Sequence, residues 1–140
     1  MDTDIKINEA TRNRPEGTRV LNAPAVLVHM NHFVDLVQNE KAWKENDRNG
    51  ITVFKNEDLT VVITLLKKEA RQDDVQTEGY SSLYLISGRL KISAGEDKKE
   101  AGTGDLLLFH PGVNYSIFAT EESSFFLTHY NKERINDKVF

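Results

Sequence analysis

The side chains best suited to moving protons near neutral pH are histidines, and the chain has four: His29, His32, His110 and His129. His129 lies in SSFFLTHY, where strand alternation groups it with Phe125 and Leu127 and turns it inward among apolar side chains. A core histidine with its ring nitrogens satisfied is the plain reading of such a position. His110 directly precedes Pro111-Gly112 at a strand end, a turn position from which it could also touch a ligand. His29 and His32 stand three apart, on opposite sides of a strand or on a shared helix face. Because APAVLVHMNHF over residues 23–33 is apolar and β-branched, it reads as a strand, which makes these two surface or edge histidines. The carboxylates Asp73, Asp74 and Glu78 read as a solvated loop. The absence of cysteine removes disulfides, thiolate metal sites and cysteine nucleophiles together.

The elements that must position these groups are strands. ITVFK and LTVVITLL flank the polar KNED as a hairpin. YSSLYLI, RLKIS, KKEA, DLLLF, NYSIFA and SSFFLTHY follow, bounded by turn residues such as Ser87-Gly88, Gly95-Glu96-Asp97 and Pro111-Gly112. Six of the eight glycines fall between Gly79 and Gly112, where the chain must reverse most often. Short strands with frequent turns predict an all-β sandwich or barrel over residues 50–140. VVITLL and DLLLF are apolar on both faces, so a second layer or another subunit must cover the sheet outside, and a homodimer is the expected partner. Residues 1–22 form an N-terminal arm, either loose or pinned to a partner. Residues 23–49 lead into or cover the barrel as strand and loop, with a short helical turn or irregular loop over 34–49. Trp43 caps the barrel edge or a partner subunit.

Composition narrows the function classes. A chain of 140 residues suits one domain. The net charge of −4 argues against nucleic acid, whose binders carry basic patches. No run approaches the ~18 apolar residues of a membrane helix, and no secretory leader is evident. The expectation is therefore a cytoplasmic protein, with neither nucleic acid nor membrane among its partners.

SSLYLISGRLKIS, followed by GTGDLLLFHPGVNYSIFA, resembles the two conserved motifs of the cupin superfamily. The carriers are Leu83-Tyr84-Leu85-Ile86, Gly88 and Leu90-Lys91-Ile92 for the first motif. For the second they are Gly104-Asp105, Leu106 to Phe109 and Pro111-Gly112. The motifs cover about residues 73–119. The resemblance implies a cupin-like double-stranded β-helix, a jelly-roll barrel behind the N-terminal arm. Its register implies that Ser81, Leu83 and Leu85 point inward, that Tyr84 points outward into sheet or dimer packing, and that Tyr115 points in.

Most catalytic cupins hold a transition metal with paired histidines, a glutamate and a second-motif histidine. Here the glutamate position falls on Ser81 and the second-motif histidine on Tyr115. The paired positions fall on Val75 and Thr77, or on Asp74 and Gln76 with a spacer one longer. None of the four ligands is retained, so neither metal nor other cofactor is expected. What the resemblance then implies is a metal-free cupin-like protein that binds a small molecule or regulates without catalysis. Its cavity would be lined by Ser81, Leu83, Tyr115 and Ile117. The alternative is a metal-independent isomerase or epimerase using Tyr115 with His129 or His110, since a phenol facing an imidazole can do general acid–base work. A third reading is a metal-dependent dioxygenase or isomerase with ligands such as Gln76, Glu78 and a histidine.

Overall fold

A computed structural model describes residues 4–131. In chain order its elements are β1 (Lys6–Asn8), β2 (Arg19–Asn22), α1 (Met30–Gln38), α2 (Lys41–Glu45), β3 (Arg48–Lys55) and β4 (Leu59–Leu66). They continue with β5 (Arg71–Val75), β6 (Ser81–Ser87), β7 (Arg89–Ala94), β8 (Asp97–Gly102), β9 (Leu106–Phe109), β10 (Tyr115–Ala119) and β11 (Ser123–Tyr130). A five-stranded sheet of order β3-β4-β11-β6-β9 faces a four-stranded sheet of order β5-β10-β7-β8. The pairings are antiparallel, as the all-β expectation required.

Alternation decides which side chains meet between the sheets. Ser81, Leu83 and Leu85 are buried, while Tyr84 and Ser87 are exposed. Leu83, Leu85, Phe125 and Leu127 pack with Leu90, Ile92, Tyr115 and Ile117 in one core. Fully burying a Leu, Ile or Phe contributes roughly 1.5–3 kcal/mol, and slipping the register by one residue would turn the whole set to solvent.

A second core lies outside the large sheet. Ile51, Val53, Ile63 and Leu65 of β3 and β4 pack beneath Val37 of α1 and Trp43 of α2. The outer face of VVITLL is thus covered by this chain's own helices rather than by a second subunit. The outer face of DLLLF is not: Leu106 and Leu108 are 56% and 74% exposed.

The helices correct the strand expected over residues 23–33. Residues 23–29 carry no strand, and Met30 begins a helix. Met30, Phe33, Val34 and Val37 recur at i, i+3, i+4 and i+7, a helical stripe that finds its cover on β3 and β4. That burial overrides the local β-branched preference. His29 becomes the residue preceding the helix and His32 lies on it, both exposed. Asp73 and Asp74 also differ from expectation, lying on exposed positions of strand β5 rather than in a loop.

The N-terminal arm is pinned to its own barrel. β1 and β2 pair as a hairpin, and Arg14 donates from two nitrogens to the Glu40 carboxylate at 2.8 Å each and to the Gly50 carbonyl at 2.7 Å. Arg19 donates to the Thr52 carbonyl at 2.5 Å. Burial alone would push the Glu40 carboxyl up, but hydrogen bonds from Arg14 and Asn49, with the charges of Arg14 and Arg19, outweigh it and hold it below its usual range. Among the described residues no helix is long and apolar enough to cross a membrane.

Candidate functional site

Register gathers the polar interior groups at one end of the sandwich. His129 on β11 lies opposite Thr60 of β4 on one side and Ser81 of β6 on the other. Ser81 in turn pairs with Phe109 at the end of β9. From the facing sheet, Tyr115 begins β10 opposite Val75 of β5. The Phe109 and Tyr115 rings stack at 3.8 Å and within 2° of parallel, joining the two sheets there.

Three buried side-chain atoms in the described residues have no hydrogen-bond partner: Ser81 Oγ, Tyr115 Oη and His129 Nδ1. All three belong to this end of the barrel. An unsatisfied buried polar group costs about 1–3 kcal/mol, so three together mark a place where the fold keeps polarity that its own packing does not use. Burial pushes the Tyr115 phenol up, and the nearby Ser81 hydroxyl draws it partly back. The two are close, yet their geometry falls short of a formed hydrogen bond. Burial pushes the His129 imidazole down. At neutral pH this end therefore presents a protonated phenol and a neutral imidazole.

Beside His129 an open cleft of about 490 Å³ is walled by Thr60, Tyr130, Asn131 and the stretch Gln72 to Glu78. The β5 wall is irregular. Between Tyr115↔Val75 and Ile117↔Gln72, β5 advances three residues while β10 advances two. That extra residue is a β-bulge, with Asp74 at φ 56°, a left-handed conformation that Asp tolerates better than most residues. The bulge leaves both Gln72 and Val75 opposite inward positions of β10 and sets Asp73 and Asp74 at the rim.

The barrel end is closed by two loops tied together. Gln76 Nε2 donates to the Gly112 carbonyl at 3.1 Å and Gly112 N to the Thr77 carbonyl at 3.0 Å. Gly79 N donates to the Tyr130 carbonyl at 3.2 Å. Under this strap Tyr115 is 1% exposed.

The structure thus brings Tyr115, Ser81 and His129 to one end of the barrel. His110 stands apart: it is exposed, with its ring 5.3 Å from that of Tyr80. Of the expected cavity lining, Leu83 and Ile117 have no exposure and sit in the packed core. The open space lies beside His129, bordered by residues the sequence analysis did not name, Thr60, Gln72 and Asn131. Thr60 was not readable, because LTVVITLL is apolar on both faces and only the packing of Val61, Ile63 and Leu65 in the outer core shows which side is inner; Gln72 was hidden by the bulge.

A transition metal of the kind many cupins hold does not fit these residues. Val75 offers no donor, and the hydroxyls of Ser81 and Tyr115 stay protonated and bind metals poorly. Gln76, Glu78 and His129 do border one cleft, yet among the described residues no three His, Asp or Glu side chains converge on a point.

No protein-family model matches the chain, and no curated protein does. Solved structures do match. A conserved protein of unknown function from Streptococcus pyogenes is 17% identical, with a TM-score of 0.63 over 80% of this chain and 91% of that one. A cupin superfamily protein from Desulfitobacterium hafniense is 9% identical, with a TM-score of 0.63 over 89% and 97%. Salicylate 1,2-dioxygenase from Pseudoaminobacter salicylatoxidans is 12% identical, with a TM-score of 0.56 over 60% of this chain and 26% of that one. At these identities the likeness is one of architecture, and it agrees with the jelly-roll sheets, the Gly88 turn and the Pro111-Gly112 turn: the chain has the cupin fold.

Proposed function

We propose that this chain is a small-molecule-binding protein that uses the end of its cupin barrel without a metal. The observation that carries the reading is that Ser81 Oγ, Tyr115 Oη and His129 Nδ1 are buried and unpartnered at one barrel end, where His129 also borders a cleft of about 490 Å³. A ligand that hydrogen-bonds these atoms would recover polar interactions that the free protein forgoes. The volume lies within the ~300–1,000 Å³ range of small-molecule sites.

NMR of the His129 imidazole, assigned by His129→Asn, tests this against a panel of small polar molecules. Saturable shifts of that ring alone support the reading. A ring that responds to nothing in the panel, in protein shown to be ligand-free by native mass spectrometry, removes it.

An acid–base isomerase is the second reading, favoured by the pairing of a phenol held protonated with an imidazole held neutral at one barrel end. Tyr115 would donate a proton and His129 would accept one. Its distinguishing sign is ligand-dependent exchange of a substrate C–H with solvent deuterium, lost in Tyr115→Phe with binding retained.

A further inference from the structure

We infer that the N-terminal arm guards a sheet edge: it occupies the outer edge of β3, which without it pairs with β3 of a second copy of this chain. β3 ends the five-stranded sheet, so β4 uses only one of its two backbone edges. Along the other edge the backbone groups are taken by side chains. Arg14 donates to the Gly50 carbonyl at 2.7 Å and Arg19 to the Thr52 carbonyl at 2.5 Å. The Gly50 N–H donates to Asn49 Oδ1 at 2.9 Å. Gly50 and Thr52 are two residues apart, so their outward groups lie along one edge. Just past β3, Asn56 donates to Asn22 Oδ1 at 3.3 Å. Residues 14, 19 and 22 of the arm thus follow residues 50, 52 and 56 in order.

This contact is not a sheet pairing. Among the described residues β2 forms a ladder with β1 alone. An added strand would satisfy the same edge through its own backbone, whereas the arm does so with two guanidiniums. Arg14 is held by Glu40, whose side chain is 9% exposed, and Arg19 also donates to the Gly17 carbonyl at 2.6 Å. Charged groups partly withdrawn from water stabilise a fold less well than apolar packing of the same volume. What they do well is blunt a sheet edge against other strands. The strand kept out is another copy's β3, because the edge is self-complementary. Two β3 strands related by a two-fold axis run antiparallel, and each outward N–H meets an outward carbonyl of the other. At eight residues, β3 is long enough for such a ladder. Residues 23–29, which join the arm to α1, carry neither helix nor strand. The arm is therefore separable from the helices that cover the sheet.

Light scattering over a concentration series tests this on the full chain. Arg14→Met with Arg19→Met removes the donors and keeps an unbranched apolar stem, and Glu40→Gln accompanies them so that no carboxylate is left buried without its cation. The expected result is an apparent mass ~2-fold or more above that of the unaltered protein at the highest concentration. The fluorescence of Trp43, the chain's one tryptophan, buried beneath the helices, should stay unchanged. Adding Thr52→Pro should return the unaltered mass, since proline removes an outward N–H that β4 does not use. A triple variant that keeps both the unaltered mass and the Trp43 signal overturns the inference. So does a rise in mass that Thr52→Pro leaves in place. If the triple variant loses the Trp43 signal, Arg19→Met alone is measured in the same way. It frees one carbonyl of the edge, and an unchanged mass there overturns the inference as well.

Discussion

At the scale of single residues, Ser81, Tyr115 and His129 carry the argument, and their stability effects should run against ordinary expectation. Removing a buried hydroxyl usually destabilises because its partner is orphaned. Here no formed partner exists, so Ser81→Ala and Tyr115→Phe should leave stability unchanged or raise it by up to ~1 kcal/mol, read from denaturant midpoints. A loss above that size would mean the hydroxyls are bonded after all. His129 makes a pH prediction. Its folded-state affinity for protons lies below the ordinary value of 6.5, so the unfolded chain takes up the proton first as pH drops. Its stability contribution is complete above about 6.5 and declines as pH falls from there toward the lowered folded value. Unfolding midpoints at several pH values should show this slope in the unaltered protein and a reduced slope in His129→Phe. The inward positions of His129 and Tyr115 were readable from alternation and motif register. That His110 stands against Tyr80, away from the cleft, depends on a loop conformation no spacing encodes.

Elements were readable in proportion to how strongly their period spoke. β6, β7 and β10 were readable from alternation and turn chemistry and β9 from its bounding turns alone, and the turns behave accordingly. Gly88 has φ 105°, and a Cβ there would overlap Ser123 Oγ and come within 2.6 Å of the Glu122 carbonyl. Gly88→Val should therefore cost at least ~1 kcal/mol, whereas His110→Ala, at an exposed position, should cost less than ~0.5 kcal/mol. Thermal melts of the two variants should differ clearly; equal shifts would displace the turn assignment. Helix α1 was misread because Val26, Val28 and the nearby apolar residues resemble a strand taken alone. The stripe Met30, Phe33, Val34 and Val37 becomes decisive only when β3 and β4 are there to cover it.

For the whole molecule, the two cores divide the reasons for expecting a second subunit. β4 no longer needs one, since α1 and α2 cover its outer face. The face bearing Tyr84, Leu106 and Leu108 remains bare, on an edge strand whose backbone pairs on one side only. Such edges invite pairing with another chain. Light scattering at micromolar concentration is expected to return twice the chain mass, and Leu106→Glu with Leu108→Glu to return the single mass at an unchanged melting temperature. A single mass for the unaltered protein would retire the dimer.

The extra residue in β5 has one more effect, and it concerns counting. Beyond a bulge the odd and even positions of a strand exchange sides, so two chains can superpose in space while their sequences drift out of step by one. From spacing alone the paired histidine positions of the cupin motif could fall on Val75 with Thr77 or on Asp74 with Gln76. The bulge lies between Gln72 and Val75 and decides between them: Val75 packs against the core, while Asp74 and Gln76 are exposed. The inner place is taken by a side chain with no lone pair at all. Deleting one residue at 73 or 74 would remove the bulge and leave Gln72 and Val75 two positions apart, both still facing β10's inward residues, so the apolar wall would survive and the rim would lose one carboxylate.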